Sequence, residues 1–253
     1  DQVVVQALTA GGHVVNSALS SARSRIELTA GGSVTNLDAV AATTITYGVG
    51  GNVLNGSASA GGNIALNVDG GITNLLATTN GGDAITVAGF TGAAAGSMDG
   101  GVYTADTVLF TVANGVGANN AVVLAGTETI TIANTTVGGV NVVNTNNNPV
   151  FATVTSGGAG DITFDQNGTG MLRVVQMTTA NGDIVVTADS DVMTHQVVSG
   201  TNGDIHVLAN DGSITVMDLG TSAAGSGEIV LTATGDANDV TVNAVVQSTA
   251  GPI

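Results

Sequence analysis

Residues 183 to 235 read DIVVTADSDVMTHQVVSGTNG (183–203), DIHVLANDGSITVMDLGTSAAGSG (204–227) and EIVLTATG (228–235). Each segment opens on an acidic residue and continues as a short strand with alternating apolar positions. The strand then breaks at small polar residues, and a glycine-rich corner follows. Because the same pattern returns in the same order, we interpret the segments as successive coils of a β-solenoid. The apolar pairs that open them are Ile184 and Val186, Ile205 and Val207, and Ile229 and Leu231.

The same repeat extends over most of the chain. Successive equivalent positions are separated by 19, 19, 21, 23, 22, 32, 22, 21 and 24 residues. A coil of this length accommodates three short strands and three corners, and like strands lying on like strands favour parallel pairing with right-handed crossovers. The sequence therefore predicts an all-β, right-handed parallel β-helix of about 10–11 coils, each with three short strands and roughly 19–24 residues. The equivalent positions are Ile26, Ile45, Ile64, Ile85, Val108, Ile130, Ile162, Ile184, Ile205 and Ile229.

Residues 1–253 are predicted to form a single continuous solenoid domain. The repeat is less regular near residues 89–105, which we interpret as an enlarged corner loop, and at 141–156, which we interpret as an excursion from an oversized coil. Both ends keep the repeat pattern without a capping helix, which favours addition of further coils. Asp1 has no basic and apolar leader before it, which indicates a mature product or a piece of a longer protein. A segment or stacking subunit of a longer fibre is therefore expected.

The composition excludes several classes of partner. The chain has three Arg, no Lys and 19 acidic residues, for a net charge of −16. Nucleic acids and anionic membranes need cationic side chains to neutralise their phosphates, so neither is an expected partner. Cys and Trp are absent, which excludes disulfides and thiolate metal sites and leaves an interior built mainly from aliphatic side chains. No apolar run is long enough to predict insertion into a membrane.

The cationic residues and histidines give little sign of an active site. The histidines have no Cys or second His at metal-ligand spacing, so they are expected to be structural residues at the surface. Arg173 is expected to stand alone, and Arg23, Arg25 and Glu27 to form an exposed ion-pair strip. With four Phe and two Tyr, a sugar-binding cleft is difficult to build. We therefore expect no enzymatic activity and assign no catalytic, cofactor-binding or metal residue. The three histidines are His13, His195 and His206.

Acidic turns make calcium the one cofactor that we considered. Two carboxylates occur in each of the segments 189–191 and 235–239, and residues 157–162 resemble a glycine-rich calcium repeat that does not recur. Side chains that bond their own backbone in Asx turns are the favoured explanation of these residues, and no cofactor is assigned. Three Asn-x-Ser/Thr sequences, at Asn55, Asn134 and Asn167, mark sites for sugar attachment if the source glycosylates its proteins.

One family resemblance follows from the recurrent sequence motif G-(D/N/S)-I-x-(V/L)-x-A, as in GDIVVTA at 182–188 and GDIHVLA at 203–209. This motif resembles the repeats of filamentous haemagglutinins and of the passenger regions of large bacterial exported adhesins. The resemblance covers nearly the whole chain and implies a right-handed parallel β-helix, export to the cell surface and a fibre-like role. The family's N-terminal secretion domain and an integrin-type tripeptide are missing from this sequence.

These observations lead to one expected function and one alternative. The expected function is an extracellular structural or adhesive β-solenoid that forms part of a bacterial cell-surface fibre by end-to-end stacking. Its expected partners are further copies of itself and a host-surface or glycan ligand. The alternative is a parallel β-helix enzyme, a lyase or hydrolase, that acts on polysaccharides. Such an enzyme would need a groove with three convergent carboxylates, or with an Arg beside two of them.

Overall fold

The chain is built from parallel strands that are connected by turns. The computed structural model describes residues 2–7, 11–89, 96–235 and 238–253, and over those residues it contains no helix. The chain divides into two compact units, residues 1–125 and 126–253. The strand pairs resolved within each unit are parallel. The predicted all-β parallel solenoid is therefore confirmed, with about 11 coils.

The first unit forms three parallel sheets, and most of its coils contribute one strand to each. The strand orders are β1-β4-β7-β10-β13-β16, β2-β5-β8-β11-β14 and β3-β6-β9-β12-β15-β17. The three short strands predicted for each coil are therefore present in this unit. The strands are β1 (Val3–Ala7), β2 (Val14–Val15), β3 (Ala18–Ser21), β4 (Ile26–Ala30), β5 (Val34–Thr35), β6 (Asp38–Ala41), β7 (Ile45–Val49), β8 (Val53–Leu54), β9 (Ser57–Ala60), β10 (Ile64–Val68), β11 (Ile72–Thr73), β12 (Leu76–Thr79), β13 (Ala84–Gly89), β14 (Met98–Asp99), β15 (Val102–Thr104), β16 (Thr107–Val112) and β17 (Val122–Ala125).

The second unit has the same parallel pairing with fewer and longer strands. One sheet has the order β18-β20-β22-β24-β26-β28, with β29 also paired to β26, and the other has the order β19-β21-β23-β25-β27. The strands are β18 (Thr129–Asn134), β19 (Val140–Thr145), β20 (Val150–Ser156), β21 (Ile162–Asn167), β22 (Leu172–Thr179), β23 (Ile184–Ala188), β24 (Val192–Thr201), β25 (Ile205–Ala209), β26 (Ile214–Ala224), β27 (Ile229–Ala233), β28 (Val240–Val242) and β29 (Val246–Ser248).

Long strands replace the separate second strand of each coil in the second unit. The 10-residue β24 and the 11-residue β26 shift register where they turn a corner, next to Thr194 and Gln196. A similar shift occurs where Ala152 and Thr153 of β20 pair with Val174 and Gln176 of β22. An extra residue at such a bulge bends the strand and leaves its ladder continuous on both sides. In this unit, two successive strands of a coil are therefore continuous through a corner and form one long strand.

Columns of identical or similar apolar residues form the core. In the first unit the backbone register places Ile26, Ile45, Ile64, Ile85 and Val108 in one column. Each of these side chains is at most 1% exposed. Burial of an aliphatic side chain of this size stabilises the fold by about 1.5–3 kcal/mol. The predicted stacking of like residues is thus confirmed for this unit.

The expected excursion at 141–156 is wrong. Most of those residues lie in β19 and β20, which pair in parallel with β21 and β22, with a single register shift between β20 and β22. Ile130 pairs with Ala152, 22 positions later, whereas Ile162 belongs to the other sheet and pairs with Val140. The apparent gap of 32 residues therefore arose because Ile130 and Ile162, which were treated as equivalent, lie on different faces of the coil. An alternating strand has the same pattern on either face, so spacing alone did not reveal the change.

The region expected to form an enlarged corner loop at 89–105 contains short strands. β13 ends at Gly89, and β14 and β15 occupy 98–99 and 102–104. Residues 90–95 of the expected loop lie outside the described residues. Gly101 separates β14 from β15 with a φ of 92°, and a Cβ atom there would overlap the carbonyl oxygen of Leu75. Only glycine fits this approach of one coil to the next.

Polar residues at the corners bond to the neighbouring coil rather than to their own turn. In the first unit, Asn16, Asn36, Asn55 and Asn74 all have positive φ values, between 49° and 52°. Asn36 Nδ2 donates to Asn16 Oδ1 at 2.8 Å, and Asn74 Nδ2 donates to Asn55 Oδ1 at 3.3 Å. Coils lie about 4.8 Å apart, so an amide group reaches the same residue of the next coil. These asparagines therefore form ladders between coils.

Two tyrosine hydroxyls are buried in the interior of the first unit. The ring of Tyr103 packs edge-on against Phe110 with 5.1 Å between the ring centroids, and Tyr103 is fully buried. Neither Tyr47 Oη nor Tyr103 Oη forms a hydrogen bond with a described group. Burial raises the pKa of both phenols well above its usual value, and the nearby Asp38 carboxylate adds to the effect on Tyr47.

Tyr103→Phe is expected to raise the free energy of unfolding by about 1 kcal/mol, because it removes a desolvated hydroxyl that has no partner. Urea unfolding followed by circular dichroism measures the change. Tyr103→Ala is the control, and it is expected to lower the same free energy by about 3–5 kcal/mol through loss of the ring. A Tyr103→Phe variant clearly less stable than the parent chain would show that the hydroxyl has a stabilising partner.

Candidate functional site

The acidic turns considered for calcium are occupied by contacts between coils. Asp189 Oδ2 accepts the backbone N–H of Gly168 at 3.1 Å, and Asp191 Oδ1 accepts that of Ser213 at 2.8 Å. Over the described part of the chain, no group of three or more His, Asp or Glu residues could hold a metal ion. Asp236, in the second of the two segments, lies outside the described residues.

A column of four carboxylates runs along one corner of the second unit. Asp161 Oδ1 accepts the backbone N–H of Asp183 at 2.9 Å, and Asp183 Oδ1 accepts that of Asp204 at 2.8 Å. Asp204 Oδ1 then accepts the backbone N–H of Glu228 at 2.7 Å. Three of the four acidic residues, Asp161, Asp183 and Asp204, therefore fasten their coil to the following one. These residues are explained by the fold, and they include the Asp161 of the calcium-like segment.

The most unusual polar cluster joins three consecutive coils of the second unit. Arg173 Nε on β22 donates to His195 Nε2 on β24 at 2.7 Å, and His195 Nδ1 lies 2.5 Å from Asp218 Oδ2 on β26. The His195 side chain is 14% exposed and that of Asp218 is 62% exposed, so the cluster becomes more solvated from one coil to the next. We call these three residues the Arg-His-Asp relay. They contradict the expectation that Arg173 stands alone.

The bulges of the long strands bring the Arg-His-Asp relay together. Arg173 pairs with Met193 in the backbone ladder, and Thr194 pairs with Val216. His195 and Asp218 lie just beyond these pairs, where the register shifts. Asp218 adopts a left-handed conformation with φ of 53°, which Asp tolerates better than most residues. The local geometry at the corner therefore directs the carboxylate to the imidazole.

The position of the hydrogen on His195 follows from its two neighbours. A guanidinium group only donates hydrogen bonds, so Nε2 must be the acceptor and carry no hydrogen. The ring hydrogen is then on Nδ1, where it is donated to the Asp218 carboxylate. In this form both ring nitrogens of His195 have a suitable partner, and the three side chains form a continuous series of donors and acceptors.

Arg173 also contacts an aromatic ring. Its guanidinium carbon lies 5.8 Å from the centroid of the Phe151 ring, which belongs to the neighbouring strand β20. Phe151 is 40% exposed, and Val175, which follows Arg173 in the bulge of β22, is 41% exposed. A cation on the face of an aromatic ring is a favourable arrangement. The cationic side chain is thus held between an exposed ring and an imidazole.

The other sequence candidates have simpler environments. His13 Nδ1 accepts the backbone N–H of Ser33 at 2.9 Å, and His206 is exposed on β25. Arg25 Nε lies 2.9 Å from Glu27 Oε1, which confirms an exposed ion pair, whereas Arg23 lies in a bend before the strand. These residues support the structural interpretation made from the sequence.

The three sugar-attachment sequences differ in accessibility. Asn134 is 2% exposed, and its Nδ2 donates to the carbonyl oxygen of Val137 at 3.0 Å, so the folded chain does not present it to a modifying enzyme. Asn55 and Asn167 are exposed. Burial therefore removes one of the three sites that the sequence suggested.

The last coil of the second unit leaves an apolar pocket of about 470 Å³. Val240 and Val242 pair with the buried Ile214 and Val216, yet they are 42% and 50% exposed. The pocket therefore continues the apolar core of the solenoid to the surface. Its apolar lining residues are Ile229, Val230, Leu231, Val240, Val242, Val246 and Ile253.

Asp99 forms a structural contact in the first unit that the sequence analysis did not predict. Its Oδ1 accepts the backbone N–H groups of Asn119 and Asn120 at 2.9 and 2.8 Å, and its Oδ2 accepts both side-chain amides. Partial desolvation raises the pKa of Asp99, but these hydrogen bonds outweigh it and lower the pKa overall. The carboxylate fastens the loop before β17 to β14.

Comparison with known proteins adds no relative: no family model, curated protein or solved structure matches the chain. Within the described residues, no helix has the length and apolar character that crossing a membrane requires.

His195 is expected to carry its ring hydrogen on Nδ1 and His13 to carry it on Nε2, because their hydrogen-bonding partners are of opposite kind. Long-range correlation of ring hydrogens and nitrogens, by solution or solid-state NMR near neutral pH, distinguishes the two forms. Asp218→Asn is expected to change the His195 signals and to leave those of His13 unchanged. The same form at both residues would contradict the geometry of the relay.

Asp99→Asn is expected to lower stability at neutral pH, because the amide cannot accept four hydrogen bonds. A carboxylate with a lowered pKa stabilises the fold above its unfolded pKa of about 3.9, and this contribution disappears as the pH falls through the folded value. The difference in urea midpoint between Asp99→Asn and the parent chain should therefore shrink on acidification. Asp165→Asn is the matched control, because Asp165 forms no hydrogen bond through its side chain with a described residue. A difference independent of pH would contradict this account.

Proposed function

We propose that the chain is a structural segment of an extracellular fibre on a bacterial cell surface, in which copies associate end to end by axial stacking of coils. The proposal concerns the solenoid as a building element and assigns no enzymatic activity. It is supported by two columns of buried residues in the second unit, whose last members are exposed.

Two core columns of the second unit end in an exposed valine. The first contains Val150, Leu172, Val192, Ile214 and Val240 in register, and the first four of these side chains are at most 1% exposed. Val240, in the last coil, is 42% exposed. The exposure of Val240 thus arises from the absence of a covering coil, since its backbone pairing is the same as that of the buried members.

The second column shows the same change. Ala152, Val174, Thr194 and Val216 are fully buried, whereas Val242 is 50% exposed. Any further coil of the same kind, from a continuation of this polypeptide or from another copy, would bury these valines. Covering each would contribute about 1.5–3 kcal/mol, and parallel pairing would add backbone hydrogen bonds.

The composition supports an extracellular role for such a fibre. A net charge of −16 without a single Lys keeps lateral surfaces of neighbouring solenoids apart, because the charges repel one another. Association is then favoured at the apolar ends over the acidic sides. The resemblance of the GDI repeats to exported bacterial adhesins points to the cell surface.

A polysaccharide-active enzyme remains the alternative. It is favoured by one feature, the Arg-His-Asp relay, which places an Arg near a carboxylate on an exposed corner. The groove expected for such an enzyme needs at least one more carboxylate beside the Arg. Among the described residues, only Asp218 joins Arg173, through His195, in this cluster.

Val242→Asp is expected to abolish end-to-end association, because it places a charge in the apolar contact. Analytical ultracentrifugation over a concentration series and negative-stain electron microscopy should show linear oligomers of the parent chain and monomers of this variant. Val137→Asp is the matched control, since Val137 is 51% exposed, almost as much as Val242, but lies in a turn away from the last coil. A parent chain that stays monomeric at its highest soluble concentration, or a Val137→Asp variant that also loses association, would contradict axial stacking.

A further inference from the structure

One outward-facing, partly exposed row of residues on the second unit combines the features of a ligand site. The backbone register places Phe151, Arg173, Met193 and Thr215 side by side on neighbouring strands, with Thr129 at the other end of the row. Arg173 is the only cationic Arg or Lys side chain in residues 126–253. An anion is repelled by most of this acidic surface and attracted at this one position.

The guanidinium group of Arg173 is already held in one geometry. His195 accepts from Nε at 2.7 Å, Asp218 fixes His195 from its far side at 2.5 Å, and the Phe151 ring lies 5.8 Å away. A free Arg side chain loses much rotational freedom when it binds a ligand, and a positioned one loses less. The Arg-His-Asp relay thus reduces the cost of binding at Arg173, with His195 and Asp218 as positioning residues.

The remaining donors of Arg173 define the chemistry of the ligand. Its Nη1 and Nη2 atoms form no hydrogen bond with any described residue, although Nε is used by His195. Two parallel N–H donors at the end of a guanidinium match the two oxygens of a carboxylate. The relay uses the inner nitrogen and leaves the outer pair for a planar anion.

The surroundings of Arg173 define the rest of the ligand. Phe151, which pairs with Arg173 in the backbone register, is 40% exposed, and Val175, two residues after Arg173 in β22, is 41% exposed. Both offer apolar surface near the charged residue. Thr129 is the next residue of the row beyond Phe151, and Thr215 follows Met193 at the other end of the row, so both ends of the row carry a hydroxyl. Sugar rings combine an apolar C–H face with hydroxyls at their edge, and a uronic acid adds a carboxylate to the same ring.

We propose that Arg173, with Phe151 and Val175, is a binding site for uronic acid residues of an acidic polysaccharide. Arg173 binds the carboxylate through Nη1 and Nη2, and Phe151 contacts the C–H face of the sugar ring. The site lies on the side of the second unit and does not use Val240 or Val242. Binding of the glycan is therefore independent of the end-to-end association proposed above.

Equilibrium dialysis with a fluorescently labelled oligogalacturonate tests the proposal on the full chain. The parent chain is expected to bind it saturably, and a neutral galacto-oligosaccharide of equal length is expected to bind at least about tenfold more weakly, as loss of a charge-assisted hydrogen bond implies. Binding should persist in the presence of a metal chelator. Equal binding of the neutral sugar or of poly-glutamate, loss of binding with the chelator, or no binding of oligogalacturonate would each overturn the proposal.

Variants of the row separate direct contact from positioning. Arg173→Met is expected to reduce the affinity about tenfold or more, and Arg25→Met, which removes a cation paired with Glu27 in the first unit, to leave it unchanged. His195→Ala should weaken binding, and His195→Gln should restore part of it because the amide oxygen can accept from Arg173 Nε. Circular dichroism checks that each variant is folded. Equal losses in Arg25→Met and Arg173→Met would overturn the assignment.

The same measurement in the Val242→Asp variant distinguishes this proposal from the proposed function. A variant that no longer associates but still binds oligogalacturonate with parental affinity supports the Arg173 site by itself. Loss of glycan binding in Val242→Asp, with circular dichroism unchanged, would place the binding site at the stacked ends and contradict the assignment to Arg173.

Discussion

Parallel hydrogen bonding in fixed register between successive coils is the constraint on which the structure depends. Each coil lies about 4.8 Å from the next, and each strand can pair only with its counterpart in that coil. In the first unit, this register aligns Ile26 with Ile45 and Ile45 with Ile64, and all three side chains are buried. A small interior with few aromatic residues is stable because like aliphatic side chains pack directly on one another. Extra residues are accommodated only at corners, as at Val175 in β22.

The same register explains the many acidic residues of the chain. An Asp at a corner can accept the backbone N–H of the following coil, as Asp161 and Asp183 do in the second unit. The partner is a neutral backbone group, so a column of carboxylates can form without Lys or Arg beside it. The asparagine ladder of the first unit performs a similar function with an amide. Acidity is thus a consequence of how the coils are fastened, and it also gives the solenoid a repulsive side surface.

The two proposed interactions use two surfaces that differ from the acidic remainder of the solenoid. At the last coil, Val240 and Val242 continue buried columns into solvent, and an apolar surface of this kind favours another coil. On the side of the second unit, Arg173 is a lone cation whose position is fixed by His195 and Asp218. The first surface favours association of solenoids, and the second favours an anionic ligand. They use different residues, so a fibre built by stacking would display the Arg173 site repeatedly along its length.

The sequence by itself determined the strand pattern, the coil length and the parallel arrangement, because alternating apolar residues that return every 19–24 positions must stack on one another. It also located the glycine corners and the core column from Ile26 to Val108. Only the tertiary structure decided which face each strand joins, as the separation of Ile130 from Ile162 shows. It alone brought Arg173, His195 and Asp218 together, although 22 and 23 residues separate them. The physical reason is that one extra residue at a corner moves every following side chain to the other face of the strand, and the number of residues that bulge at a corner depends on the packing of neighbouring coils.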